Sequence, residues 1–172
     1  SASGVASHAE GYYTNALGNY SHTEGSASIA SGLYSHAEGL NTTTLGTGSH
    51  AEGYGTQASG SATHAEGYYT ITVGTGSHAE GSGSIAYGDV SHAEGIFTIA
   101  SGSGQLTVGR YNLKNNTNDL FVIGDGTSEA TRHDLLNASI GAVRITGSLI
   151  VSNSFELIGI GNVTGSYIIS SS

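Results

Sequence analysis

The chain has 172 residues, a formal net charge of −9, 28 glycines, and no cysteine, proline, methionine or tryptophan. The absence of cysteine excludes a disulfide framework and a thiolate metal site, and no apolar run is long enough to suggest membrane insertion. All four lysines and arginines follow residue 109, so residues 1–109 are acidic and have no basic patch. This charge pattern argues against nucleic acids and anionic membranes as partners.

A repeat of 14 residues fills residues 1–109. Its first half reads Ser-His-Ala-Glu-Gly, with histidines at positions 8, 22, 36, 50, 64, 78 and 92. Its second half reads Thr/Ser-x-Ala/Thr-x-Gly, so glycine recurs every seven residues from Gly4 to Gly109. Self-similarity at a short period is typical of solenoids, and glycine at every seventh position argues against a coiled coil.

Each repeat is predicted to form one rung of a parallel β-solenoid, with two strands of about five residues joined by tight turns. Rungs stacked about 4.8 Å apart would build a rod about 40 Å long. Side chains alternate between strand faces, so Ser7 and Ala9 point into the coil while His8 and Glu10 point outward. A core of serine, threonine and alanine buries little apolar area, which predicts that a single chain needs partners.

With these half-units, residues 1–109 resemble the head repeat of YadA-like trimeric autotransporter adhesins, which also occurs in phage tail fibres. The resemblance implies an all-β fold in which left-handed parallel β-rolls with 14-residue rungs pack as a parallel homotrimer. It also implies that a small β-rich trimeric fibre segment follows. The family half-unit Asn-Ser-Val-Ala-Ile-Gly places Val and Ile at the trimer interface, where this chain has His and Glu.

We expect the histidines and glutamates to lie at the trimer interface, because their positions never vary along the chain, as a symmetry axis would require. The last repeat restores the apolar pattern of the family, with Leu106 in place of His and Val108 in place of Glu. The equivalent positions of the other half-unit vary, although many of their residues are apolar. The predicted interface residues are His8, Glu10, His22, Glu24, His36, Glu38, His50, Glu52, His64, Glu66, His78, Glu80, His92, Glu94, Leu106 and Val108.

The repeated His and Glu predict a hydrogen-bonded polar ladder that fixes the register between chains. A bound zinc or iron ion is the alternative, since both residue types ligate these metals, but the favoured prediction includes no metal and no cofactor. Pairing with Glu would raise the pKa of His and lower that of Glu, whereas burial would keep His neutral. Catalysis by a Ser-His-Glu set is not expected, because the adjacent Ser7 and His8 point to opposite faces, and we predict no enzyme activity.

Aromatic residues cluster in the residues that link the half-units. They are predicted to form a ladder of stacked turn residues that covers the coil. The alternative is a surface that binds a host glycan or receptor, because exposed aromatic rings stack on sugars. The residues of this candidate surface are Tyr12, Tyr13, Tyr54, Tyr68, Tyr69 and Phe97.

The chain beyond residue 109 is less regular. Residues 110–144 are predicted to form a β-hairpin connector or cap, with a strand at residues 120–123, a tight turn at Gly124-Asp125-Gly126 and a strand near Leu135. Residues 145–172 are predicted to begin a second β-repeat fibre segment, because residues 146–152 resemble residues 164–170. Since Ser1 already lies in the repeat register, we expect the chain to be a piece of a longer protein.

These features predict a structural protein that serves in attachment: a trimeric module of a phage tail fibre or virion appendage. Its expected partners are its own copies, other fibre or virion proteins, and a host-surface glycan or receptor. The segment after residue 109 resembles phage fibre proteins, which favours location in the virion. The alternatives are the head of a trimeric autotransporter adhesin on the bacterial cell surface, and a fibre segment that precedes a self-cleaving chaperone domain.

Overall fold

The computed structural model describes residues 1–149, so most of the predicted second fibre segment at 145–172 lies outside the described residues. The fold is all-β and confirms the predicted parallel β-solenoid with 14-residue rungs. Within residues 1–149 the helical structure consists of one 3₁₀ turn, Glu129–Thr131. No helix in this part of the chain is long and apolar enough to cross a membrane.

Each rung contributes one strand to each of two sheets. The eleven-stranded sheet contains β1 (His8–Ala9), β3 (His22–Thr23), β5 (His36–Leu40), β7 (His50–Tyr54), β9 (His64–Tyr68), β11 (His78–Ser82), β13 (His92–Ile96), β15 (Leu106–Arg110), β16 (Phe121–Asp125), β17 (Asp134–Ser139) and β18 (Ala142–Ile145). The seven-stranded sheet contains β2 (Asn15–Ala16), β4 (Ile29–Ala30), β6 (Thr43–Thr44), β8 (Gln57–Ala58), β10 (Ile71–Thr72), β12 (Ile85–Ala86) and β14 (Ile99–Ala100).

The two strands of a rung differ in length, which the sequence did not predict. The strand with the Ser-His-Ala-Glu-Gly half-unit reaches five residues, as in β5, but the opposite strand β6 has only two. The left-handed residue Asn41 (φ 57°) turns the chain shortly before β6, and a turn begins at Gly46 shortly after it. The coil is therefore flattened, with one long and one short strand per rung.

The interior of the coil is thin. Ser35 and Ala37 of one strand and Thr42 and Thr44 of the other are all buried, and their neighbours on the other strand face are not. In residues 1–109 the buried apolar residues are alanines and Ile99. The inward serine also closes a turn, because Ser35 Oγ donates a hydrogen bond to the Gly32 carbonyl oxygen at 2.8 Å. The predicted inward and outward faces are confirmed.

Glycine is required where the backbones of successive rungs approach closely. Gly46 has an ordinary backbone conformation, but a Cβ atom there would lie only 1.8 Å from the Gly60 carbonyl oxygen. Gly39 of the other half-unit combines the same close approach with a φ of +105°. No other residue type fits either position without displacing the next rung.

Side chains with amide groups close the end of the solenoid. Gln105 replaces the repeat serine; its Oε1 accepts a hydrogen bond from Ser101 N at 2.7 Å, and its Nε2 donates one to the Asp119 carbonyl oxygen at 2.7 Å. Asn112 pairs with the backbone of Ile99, accepting from its N at 2.7 Å and donating to its O at 2.9 Å. Asn112 thereby takes the place of a further strand beside β14.

The segment after the repeat forms an antiparallel pair, but the predicted tight turn at Gly124-Asp125-Gly126 is wrong. Strand β16 continues through Asp125, and the 3₁₀ turn lies in its connection to β17. The reason is the register with β15, which places Gly124 opposite Gly109. A Cβ atom at Gly124 would lie 2.6 Å from the Arg110 carbonyl oxygen, so this glycine serves close packing rather than a turn.

Candidate functional site: the histidine and glutamate ladder

The seven repeat histidines form one stacked column on the outer face of the eleven-stranded sheet. The ring centroids of successive histidines lie 4.6–5.0 Å apart. The parallel register enforces this stacking, since it places His36 opposite His50 and Glu38 opposite Glu52. The glutamates form a second column beside the first. We call the two columns together the His/Glu ladder.

Contacts between the two columns run mainly from one rung to the next. His64 Nε2 lies 3.5 Å from Glu52 Oε1, and His78 Nε2 lies 3.2 Å from Glu66 Oε1. The second pair has hydrogen-bond geometry. Within residues 1–149, the buried Nε2 atoms without a hydrogen-bond partner are those of His22, His36, His50, His64 and His92. The predicted polar network is therefore assembled in one chain, but its hydrogen bonds are not completed there.

Crowding of like groups sets the protonation of the glutamate column. A hydrogen bond with the Glu52 carboxylate, together with burial, raises the pKa of Glu38 to about 7. The same hydrogen bond lowers the pKa of Glu52, and hydrogen bonds with Glu38 and Glu10 lower that of Glu24. Burial, followed by a hydrogen bond with Glu52, raises the pKa of Glu66. The raised pKa values of Glu38 and Glu66 arise within one chain, because neighbouring carboxylates share protons; the lowering expected from pairing with histidine across an interface stays a prediction.

Three rings of the histidine column favour the neutral form. Burial, followed by the charge of neighbouring histidines, lowers the pKa of His36, His50 and His78. Nearby glutamates act in the opposite direction but have the smaller effect. Of the two sequence-based alternatives, raised or neutral histidine, the structure supports the neutral form at these three positions.

The apolar end of the ladder is longer than the sequence predicted. Leu106 lies opposite His92 and continues the histidine column, and Val108 belongs to the same strand. The next strand places Phe121 opposite Leu106 and Ile123 opposite Val108. Phe121 and Ile123 were missed because the cap segment makes their spacing from Leu106 and Val108 irregular. The signal was present, since Phe121-Val-Ile-Gly repeats the pattern of Leu106-Thr-Val-Gly.

The ladder brings together side chains that ligate metals. In four separate groups within residues 1–149, one ligand atom from each of three side chains lies within 4.8 Å of the other two. The groups are Glu10, His22 and Glu24; His36, Glu38 and His50; His64, Glu66 and His78; and Glu80, His92 and Glu94.

All six residues of the candidate aromatic surface lie along one edge of the coil, in the turns that follow the Ser-His-Ala-Glu-Gly half-units. The rings of Tyr54 and Tyr68 stack at 5.2 Å, and Tyr69 meets both edge-on. Tyr12 and Tyr13 form a second edge-on pair, separated by 4.2 Å. Rings stack along this edge, and five of the six residues are exposed, whereas Tyr54 is partly buried.

Two aromatic rings of this edge pack against glycines of the preceding rung. Tyr69 and Phe97 have left-handed backbones, with φ of 53° and 51°. Their rings lie over glycines of the preceding rung, because a Cβ atom at Gly55 would be 2.6 Å from the Tyr69 ring and one at Gly83 would be 2.6 Å from Phe97. Each ring thus occupies the space of two turn side chains.

The outer face of the seven-stranded sheet is mixed. Leu17, Leu45, Val73 and Tyr87 are exposed there, and Ile71 is half-buried. Serines and a glutamine interrupt this apolar row. It is the second elongated surface that another copy of the chain could cover.

The chain matches no protein-family model and no curated protein.

Proposed function

We propose that the chain is a module of a homotrimeric fibre that serves in attachment, in a phage tail fibre or virion appendage. The observation that carries the proposal is the distribution of apolar side chains. The interior of the repeat holds alanine, serine and threonine, whereas Leu17, Leu45, Val73 and Tyr87 are 44–51% exposed. A chain that leaves its larger apolar side chains outside is typical of a protomer that folds together with its copies.

The His/Glu ladder supports a parallel arrangement of these copies. It ends in Leu106, Val108, Phe121 and Ile123, so one continuous outward surface changes from polar to apolar along its length. Parallel copies would place equal rungs at equal heights, with polar against polar and apolar against apolar. An antiparallel arrangement would set the apolar end against glutamates. The number three comes from the resemblance to trimeric head repeats.

Sedimentation equilibrium of the full chain tests the assembly. We expect a single species with three times the mass of the chain, and unfolding that depends on protein concentration. A stable, folded monomer would contradict the proposal. Disulfide trapping tests the parallel arrangement, since the chain lacks cysteine. A single Cys at His50 should cross-link to its own counterpart in another copy.

The aromatic edge supports the attachment role. Its rings stack along the rod, and all of them except that of Tyr54 are exposed, so they offer aromatic faces on which a sugar can stack. The test is a glycan microarray probed with the labelled chain and with a variant carrying Tyr54→Ser, Tyr68→Ser and Tyr69→Ser. The matched control carries Tyr20→Ser and Tyr34→Ser, which removes a stacked pair at 5.0 Å from the opposite edge. We expect glycan signals that only the first variant loses; equal signals for both variants would place attachment elsewhere.

A further inference from the structure

We propose that the His/Glu ladder binds divalent transition-metal cations, with Zn²⁺ as the representative ion, at the four groups of three side chains defined above. This inference goes beyond the proposed fibre function and does not depend on the number of chains in the assembly. Each group binds one cation through imidazole Nε2 and carboxylate oxygen atoms of a single chain, and water or a neighbouring copy supplies the remaining ligands.

The distances between the columns also suit a shared cation. Bonds from zinc to nitrogen or oxygen of about 2.0–2.1 Å place neighbouring ligand atoms about 3.4 Å apart. His78 Nε2 and Glu66 Oε1 are 3.2 Å apart, and His92 Nε2 and Glu80 Oε1 are 3.4 Å apart. The latter pair does not have hydrogen-bond geometry, although its Nε2 is buried.

The unpartnered nitrogen atoms point to the same conclusion. A buried polar atom without a partner costs free energy, and five Nε2 atoms of one column share this condition. A bound cation, which accepts electron pairs from nitrogen, would remove this free-energy cost at each histidine that it binds. Each of the four groups contains at least one histidine whose Nε2 atom is unpartnered.

The charge of the repeat favours a cation. Residues 1–109 carry a glutamate in each of the seven repeats that contain histidine, and no lysine or arginine. Identical residues of neighbouring rungs lie opposite each other, so each carboxylate of the column faces other carboxylates rather than a basic side chain. A bound divalent ion would neutralise adjacent carboxylates at the place where their repulsion is strongest.

The ligand types select the class of metal. Imidazole suits zinc, copper, nickel and iron, whereas Ca²⁺ and Mg²⁺ prefer a shell of oxygen atoms. Two of the groups offer two histidines and one glutamate, and the other two offer one histidine and two glutamates. None of them provides the number of oxygen ligands that Ca²⁺ takes. The ladder should therefore discriminate against Ca²⁺ and Mg²⁺.

The central test measures retained zinc. The full chain is stripped with EDTA, dialysed against Zn²⁺ with an excess of Ca²⁺, and analysed for metal per chain. A variant with His64→Gln, Glu66→Gln and His78→Gln removes one of the four groups, and a control with His133→Gln and Asp125→Asn removes an ion pair outside the ladder. We expect the ladder variant to retain about three quarters of the zinc and the control to retain all of it.

A second experiment uses a chain with an unsubstituted ladder, so it remains informative if the ladder variant does not fold. Cu²⁺ bound to the His133→Gln chain should show nitrogen couplings of imidazole in its electron paramagnetic resonance spectrum. The proposal is overturned if these couplings are absent, if Ca²⁺ displaces the zinc, or if the folded ladder variant retains as much zinc as the control. The assembly experiment is separate, so a monomeric chain that binds zinc would refute the fibre proposal and leave this one intact.

Discussion

The imidazole rings of His36 and His50 are parallel to within 3°, and their centroids lie 4.8 Å apart. Two protonated rings at this distance repel each other; the His36 side chain is about two-thirds buried, and His50 is partly buried. The pair therefore favours neutral imidazole. Stacking of the rings recurs from rung to rung along the column.

The first prediction concerns the thermal stability of the chain at acidic pH. The folded-state pKa of His36, His50 and His78 is lowered, so their stabilising contribution is present above the unfolded value of about 6.5 and is lost as pH falls below it. Thermal melting in EDTA should therefore show the unsubstituted chain losing stability between about pH 7.5 and 5 relative to a variant with Asn at all three positions. A difference between the two proteins that stays constant with pH would contradict the lowered pKa values.

The second prediction isolates Glu38. Its folded-state pKa is raised to about 7, so its stabilising contribution is complete below the unfolded value and is lost as pH rises through 7. Gln resembles the protonated carboxyl and does not titrate. Relative to the unsubstituted chain, Glu38→Gln should gain melting temperature from pH 5 to pH 8. The same substitution at Glu52, whose pKa is lowered, should not show this gain.

The third prediction concerns the close approach of rungs. Gly46→Val places atoms against the Gly60 carbonyl oxygen, where even a Cβ atom would be at 1.8 Å. We expect it to cost at least about 3–5 kcal/mol of unfolding free energy, or to prevent folding. The neighbouring Leu45 is 50% exposed, and Leu45→Ser should cost less than Gly46→Val because it displaces no backbone of the next rung. Urea unfolding of both variants is the check, and similar midpoints would be incompatible with the stacked rungs.

The fourth prediction tests the packing of the aromatic edge. Gly55→Ala should destabilise the chain by about 1–3 kcal/mol, because the methyl group meets the Tyr69 ring at 2.6 Å. When Tyr69→Gly is also present, the cost of the alanine should fall to about 1 kcal/mol, which is the cost of its left-handed backbone. A double-mutant cycle in urea measures this coupling, and additive effects would show that the ring does not lie over Gly55.

The fifth prediction concerns the role of the ladder in assembly. A variant with Val at His36 and His50 and Ile at Glu38 and Glu52 extends the apolar pattern of Leu106 and Val108 into two rungs. It should remain trimeric and depend less on pH between about 4 and 8, since fewer groups titrate. Sedimentation and melting across this range provide the measurement. An unchanged pH profile would mean that the ladder faces solvent in the assembly.

The sequence by itself determined the structure of a single rung and how rungs stack. Its 14-residue period set the stacking, the alternation of Ser and Ala with His and Glu set the two faces, and the recurring glycines marked the close approaches. These inferences succeeded because each one depends on strand alternation and on a register that identical repeats enforce. Local geometry repeated without change is sufficient to define such a core.

The tertiary structure alone decided the properties that depend on neighbouring rungs. His64 contacts Glu52 of the preceding rung rather than Glu66 of its own, and its Nε2 atom still lacks a hydrogen-bond partner. The irregular cap also concealed that Phe121 continues the column of Leu106. Burial, shared protons and unpartnered atoms arise from side chains that are distant in sequence, and their balance is fixed only when the whole stack is assembled.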